Sequence, residues 1–306
     1  MKAPKTTRAT RAILRNAILP GAIITAGSLV LPFHAAAMSA YENFDAYAVD
    51  ATLLDGVGTG GAGWTSAWSG TGTATVAVSA TAITKTIDGF TYGGGNSLAI
   101  SGNSSTNAAQ RLFANPQLTD GTDIYVSFLA QYTDGTSTGA VATGPFISVG
   151  LLDSSNSTAV DNFVLLNSAN GQVGARVNNV STSIAATTYQ LIYDTPVLVV
   201  ARFSGWDAIE NHYTTTTVWV NPTGADLGNT GISVTATSTA AGSDGAGGLI
   251  IRTYNLDAAT VLLDDLRVGT TWTSVVALSI PEPGSCALAV ASLAAAITLL
   301  LRRRHS

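Results

Sequence analysis

The sequence predicts an all-β fold built from two packed sheets or a closed barrel, and three observations carry that reading. Short apolar runs with period-two alternation recur through residues 38–279, clusters of Gly, Asn, Asp and Ser separate them, and no amphipathic helix of useful length lies between. The clearest run is 124–131, where Ile124, Val126, Phe128 and Ala130 alternate with Tyr125, Ser127, Leu129 and Gln131, as expected of a strand with one face in a core. Further strands are predicted at 145–152, 162–167, 172–178, 189–203, 212–221, 249–254 and 260–268. Asn170-Gly171 between two of these is a hairpin signal, because a type I′ turn needs positive φ at both central residues. Residues 41–102 are rich in Gly, Thr, Ser and Ala, and predict short strands and turns. Many strands without intervening helices exclude an α/β domain, and the span suits one large domain with no linker to divide it.

The two ends read differently from the middle. Lys2, Lys5, Arg8, Arg11 and Arg15 precede an apolar stretch over 17–33 and the small-residue run Ala35-Ala36-Ala37. Basic, apolar and small-residue parts in that order predict a signal peptide over 1–37, with the mature chain starting at Met38. Pro20, Gly21, Gly27 and Pro32 interrupt the apolar run, which disfavours a permanent anchor there. The one cysteine, Cys286, lies near the other end, so an exported 38–279 domain can hold no disulfide and must rest on its own core.

Charge narrows the partners. The whole chain has a formal net charge of −5, yet residues 38–279 hold eighteen acidic against six basic side chains, a net of −12. That sign disfavours nucleic acid, which needs clustered Lys and Arg to neutralise phosphate. Neutral sugars or divalent cations are the more natural partners.

The C-terminal tail has three parts. Pro281-Glu282-Pro283 forbids both helix and central strand, and so predicts an exposed extended peptide. Residues 286–301 are uncharged, with fourteen of sixteen drawn from Ala, Val, Ile, Leu and Cys. As a helix from Gly284, this span covers roughly 27 Å, enough to cross a hydrocarbon core. Arg302, Arg303 and Arg304 would hold its end in the cytoplasm. The tail resembles a PEP-CTERM sorting signal, with the family's motif on Pro281, Glu282 and Pro283 and its basic end on Arg302 to Arg304. The resemblance implies an exosortase-like processing enzyme as partner, a membrane-anchored precursor over 280–306, cleavage near the motif, and delivery to the cell surface or an extracellular matrix.

A second resemblance covers most of 38–279. Tyr41-Glu42-Asn43-Phe44-Asp45 with the downstream Gly-Trp pair, and 263–272 around Asp264-Asp265, look like the opening and closing strands of concanavalin A-like (laminin G-like) jelly-roll domains. Residues 197–202 and 218–222 are similar to their central strands. It implies a jelly-roll two-sheet sandwich, flanked here by a signal helix and a transmembrane helix.

Catalytic chemistry is sparse. Glycoside hydrolysis needs paired carboxylates, and residues 38–279 hold only Glu42 and Glu210 as glutamates, with no Glu-x-Asp-x-x-Glu. Asp161 and the Asp264-Asp265 pair could substitute, but neighbours on a strand point to opposite faces, and solvated turn or edge positions are expected for them. His212 stands alone between the two terminal signals, which leaves no His/Cys zinc site, and it reads as a strand end. Gly135-Thr136-Ser137-Thr138-Gly139 matches G-x-S-x-G but lacks the strand-to-helix context, so a loop is expected. Calcium is the one cofactor with suitable oxygens, at Asp153-Ser154-Ser155-Asn156 and Asp161-Asn162, though no calcium-loop pattern is present. Trp64, Trp68 and Trp206 are either core or anchor residues or a platform for stacking on sugar rings. The sequence therefore predicts a non-enzymatic surface or matrix protein of structural or adhesive type. Its alternative is a polysaccharide-binding module or degenerate glucanase-like lectin.

Overall fold

The computed structural model describes residues 38–52, 60–70, 74–102, 106–114, 121–152, 160–167, 171–177, 184–210, 212–223, 231–238, 246–256 and 258–276. The signal segment, the Pro-Glu-Pro motif, the apolar tail and the Asp153–Asn156 stretch lie outside them. Among the described residues no helix is long and apolar enough to cross a membrane.

In chain order the strands are β1 (Met38–Glu42), β2 (Thr75–Ser79), β3 (Thr84–Ile87), β4 (Phe90–Gly93), β5 (Ser97–Ser101), β6 (Thr106–Leu112), β7 (Ile124–Thr133) and β8 (Phe146–Leu152). They continue as β9 (Val160–Leu166), β10 (Gln172–Val177), β11 (Ile184–Gln190), β12 (Val197–Asp207), β13 (His212–Val220), β14 (Ile232–Thr237), β15 (Gly248–Tyr254) and β16 (Thr260–Gly269), followed by the one-turn helix α1 (Trp272–Val275). The predicted strands between 124 and 268 form, with one correction. The 189–203 run divides into the end of β11 and the start of β12, because Asp194 takes φ 56° and Pro196 cannot donate to a ladder. Asn170 lies outside the described residues, but β9 and β10 pair antiparallel on either side of Gly171, as that hairpin signal required.

All pairings are antiparallel, and they build a two-sheet sandwich. One sheet has the order β14-β13-β12-β7-β16-β5-β2 with β1 also on β16; the other runs β11-β10-β9-β8-β15-β6. The two last strands enter the middles of the sheets, β15 between β6 and β8, and β16 between β7 and β5. The core between the sheets is aliphatic and aromatic: Val126, Phe128, Val199 and Phe203 from one sheet meet Ile147, Val149, Val164 and Ile251 from the other. A buried cross-sheet hydrogen bond from Asn162 Nδ2 to Thr216 Oγ1, 3.0 Å, fixes their relative position at one end. The eight-stranded sheet is covered on its outer side too, where Leu129, Leu198, Val200 and Trp219 pack under the β3–β4 hairpin and α1. Ser127 Oγ holds α1 in place through the Val275 carbonyl at 2.8 Å.

Candidate ligand face

The outer face of the six-stranded sheet is built differently. Residues of one parity on each strand point into the core, so the other parity faces outward. Across β15, β8, β9 and β10 the register puts Arg252 beside Ser148, Ser148 beside Leu165, Ile250 beside Gly150, Gly150 beside Phe163, and Phe163 beside Arg176. A shallow depression of about 140 Å³ opens there, lined by Phe146, Ser148, Phe163, Leu165, Arg176 and Arg252 among others. Gly150 lets β8 and β9 approach closely beside it, since a Cβ at that position would meet the Asn162 carbonyl oxygen and the Phe163 Cβ. Phe163, Leu165, Ile250 and Leu152 form a small buried cluster beneath it.

Three aromatic and cationic contacts shape the rim. Phe146 and Tyr254 are register partners and stack at 5.2 Å with an interplanar angle of 17°, and Tyr254 is 46 % exposed. The Arg176 guanidinium lies 5.3 Å from the Phe163 ring centroid. Burial holds the Arg176 guanidinium below its usual range, and the neighbouring positive charge of Arg252 adds to that shift. Arg111, Arg202 and Arg267 each meet a carboxylate, from Glu42, Asp123 and Asp265 respectively. Arg176 and Arg252 both line the depression. Arg252 and Tyr254 sit on outward positions of a strand read correctly from the sequence, yet nothing in the local pattern says that Arg176, 76 positions earlier, shares their face.

The candidates named from the sequence fall elsewhere. Trp68 is 1 % exposed and packs against Phe44, so it is core and closed to a ligand. Trp64 is half-buried, stacks on Phe113 at 5.5 Å and donates from Nε1 to the Tyr41 carbonyl at 3.0 Å. Trp206, also half-buried, lies on β12 with its edge toward Tyr213 at 5.0 Å, and is not part of that cluster. Glu42 is fully buried on β1, while Glu210 is exposed in the β12–β13 turn. His212 opens β13 as the strand-end reading had it; it is 1 % exposed, and neither ring nitrogen has a hydrogen-bond partner among the described residues. Ser137 lies in a turn where the Asp134 carboxylate accepts the backbone N–H groups of Thr136 and Ser137.

Asp264 and Asp265 need a correction. They are not solvated turn or edge residues: their exposures are 0 % and 2 %. A bulge in β16 between Asp264 and Arg267, with Asp265 at φ 49°, turns both side chains toward one loop. There Gly93 N donates to Asp265 Oδ2 at 3.1 Å and Gly94 N to Asp264 Oδ2 at 3.0 Å, while Asn96 N donates to Asp45 Oδ1 at 2.7 Å. The opening and closing sequence signatures thus meet at Gly93-Gly94-Gly95, all three at positive φ. Among the described residues no group of three or more His, Cys, Asp or Glu is placed to hold a metal ion. Asn162, one half of the Asp161-Asn162 pair considered for calcium, is buried and donates its amide N–H to Thr216 Oγ1.

No family model matches the chain, and no curated protein does. Several solved structures are similar to it at low identity. An endo-β-1,4-glucuronan lyase from the fungus Trichoderma reesei superposes with a TM-score of 0.42 and 12 % identity, over 76 % of this chain and 98 % of that one. The carbohydrate-binding module CBM66 from Bacillus subtilis gives 0.34 and 9 %, over 64 % and 94 %. The binding domain of botulinum neurotoxin serotype C1 gives 0.34 and 6 %, over 65 % of this chain and 44 % of that one.

Proposed function

We propose that this chain is an exported surface or matrix protein whose jelly-roll sandwich binds polysaccharide through the outer face of its six-stranded sheet. The observation that carries the reading is the depression on the outer side of this sheet, with its apolar floor and two guanidinium groups, beside a stacked aromatic pair of which Tyr254 is the exposed member. A pyranose ring offers an apolar C–H face and a rim of hydroxyls, and an aromatic ring beside polar donors suits that shape. Among the described residues, the outer side of the eight-stranded sheet is covered by the β3–β4 hairpin and α1.

Binding rather than catalysis fits the carboxylates. Both oxygens of Glu42 are engaged, Oε1 by the Phe44 N–H and Oε2 by the Tyr47 hydroxyl and Arg111, which leaves neither to serve as acid or nucleophile. Export rests on the sequence of the two ends: a signal segment over 1–37, then Pro281-Glu282-Pro283, the apolar span and Arg302 to Arg304. On this reading an exosortase-like enzyme releases the precursor from its membrane helix to the surface.

The test is a glycan array probed with the purified full chain in mild detergent, alongside Tyr254→Ala and a Trp206→Ala control. The expected result is retention on at least one polysaccharide, weakened about tenfold or more by Tyr254→Ala, since aromatic stacking on a ligand ring is worth roughly 1–2 kcal/mol. An array with no binding, or binding lost only in the Trp206 variant, would defeat the assignment of this face.

A further inference from the structure

Two open sheets end in four outer strands, β14 and β2 on one, β11 and β6 on the other, and the fold treats these edges unequally. β2 is bridged by the chain before it, since Asp50 N donates to the Val78 carbonyl at 2.8 Å and Val78 N to that of Ala51 at 3.1 Å. β6 is covered in the same way: Gln110 N donates to the Ser69 carbonyl at 2.6 Å, and Ser69 N to that of Gln110 at 3.0 Å. β11 carries a bulge, where its register with β10 shifts between Gln172 and Gly174. Covering and bulging both keep an edge from pairing with another chain.

β14 has neither. It pairs with β13 in unbroken register, from Ile232 opposite Val220 to Thr237 opposite Thr215. The Ser238 N–H donates to the Thr214 carbonyl at 3.0 Å, and bonded and non-bonded pairs alternate along an antiparallel ladder, so Ala236, Val234 and Ile232 are the residues bonded to β13. Ser233, Thr235 and Thr237 therefore aim their backbone N–H and C=O groups away from it, and among the described residues nothing pairs with those groups. Val234 packs against the core yet stays half-buried, and Ile232, on the same face, is 41 % exposed, as expected where no further strand lies beside them. Proline, lysine and inward charges, the other ways of blunting an edge, are missing too: the strand reads Ile-Ser-Val-Thr-Ala-Thr. β11, which lies next to β14 on this side of the sandwich, is likewise uncharged from Ile184 to Gln190.

We infer that β14 is a self-association edge, through which two copies of this chain pair antiparallel about a two-fold axis at Thr235 and join their eight-stranded sheets. That register sets Thr235 against its counterpart and Ser233 against Thr237 of the other copy, so the unpaired backbone groups of one edge meet those of the other. The side chains agree with it. Val234 meets Ala236 on the inner face, and only serine and threonine meet on the outer one. Charge favours a second copy as the occupant. Residues 38–279 carry a net −12, so two copies repel over most of their surface, and this edge lets them touch without opposing like charges. A strongly charged partner strand would find nothing of opposite sign on β14.

The experiment is sedimentation velocity on the full chain in density-matched mild detergent, comparing the wild type with Thr235→Lys, Thr235→Asp and an equal mixture of the two. The wild type should dimerise reversibly, and more tightly as NaCl rises from about 0.05 to about 0.5 M, because salt screens the repulsion between acidic copies. Each single variant puts like charges face to face and should weaken dimerisation tenfold or more. Mixing them should restore it, since each lysine then faces an aspartate. A wild type that stays monomeric up to about 0.1 mM would overturn the inference. So would a dimer that both variants keep in full, which would place the contact in the apolar tail or on another face. Loss in both variants with no recovery in the mixture would trace the effect to disruption of the strand itself, and would also count against pairing at Thr235.

Discussion

Glu42 and Arg111 form an ion pair with side-chain exposures of 0 % and 2 %, and through it the first strand is fastened to β6. The arginine does more than neutralise the acid. Its Nε donates to the Ser66 carbonyl at 2.9 Å and its Nη2 to the Gly60 carbonyl at 2.8 Å, while its guanidinium lies 5.1 Å from the Trp64 ring centroid and 5.7 Å from that of Trp68. One buried cation thus organises residues 60–70, a glycine-rich stretch with little intrinsic reason to be ordered.

Removing one partner should therefore be severe. Glu42→Gln or Arg111→Met leaves the other charge buried and uncompensated, which should cost about 3–5 kcal/mol in urea-induced unfolding. The double variant should lose less than the two single losses combined, because the stranded charge disappears. Additive losses would show that the pair is not coupled.

Asp264 makes stability depend on pH. Burial pushes its carboxyl up to about 7, from an ordinary value of 3.8, against the opposing hydrogen bonds from Asp265 and Gly94. Between those two pH values the folded chain holds the proton and the unfolded chain has released it. Its contribution to stability is thus fully present below pH 4 and lost as pH rises toward 7, by at most about 4 kcal/mol. Asp134 and Asp207, whose values are lowered by hydrogen bonds, act in the opposite sense at more acidic pH. Thermal unfolding between pH 4.5 and 8 should show the decline, and Asp264→Asn should flatten it whatever its own absolute stability.

Glycine replacements should separate crowding from backbone strain. Gly93 has φ 71°, and a Cβ there would meet the Ile83 carbonyl oxygen and sit 3.0 Å from Asp264 Oδ2; Gly89 has φ 78° with nothing within 4 Å. Gly89→Ala should cost about 1 kcal/mol, the penalty of a left-handed alanine, and Gly93→Ala clearly more. Equal losses in chemical denaturation would mean that the aspartate–glycine junction is not tight.

Sorting should separate from anchoring. On the proposed sorting reading, replacing Pro281, Glu282 and Pro283 by alanine in the native host should leave a membrane-bound, full-length precursor with no released form, because the apolar span and the arginines would still hold the membrane. Immunoblots of membrane and surface fractions would show this, and wild-type trimming of the variant would reduce the tail to an anchor.

Much of the architecture was legible because β-strands announce themselves locally. Period-two alternation from Ile124 to Gln131 marks β7, and Asn170-Gly171 marks a hairpin, without any reference to distant residues. The sites were less legible because they depend on pairing between remote strands. Asp264 and Asp265 read as turn or edge residues until the bulge in β16 aims them at Gly93 and Gly94, some 170 positions away. Trp64 and Trp68 drew attention as large aromatics, but their relation to Arg111 across β6 makes them part of the scaffold. Arg176 and Arg252 carry no motif, and only the register of β8, β9, β10 and β15 puts them over one depression.

The most direct test of the account maps a bound oligosaccharide, taken from the strongest array hit, by side-chain NMR shifts on the full chain. The account predicts perturbations at Arg176 Nε, Arg252 Nε and the rings of Phe146 and Tyr254. Shifts confined to Trp64 or Trp206, with the two arginines unchanged, would contradict it.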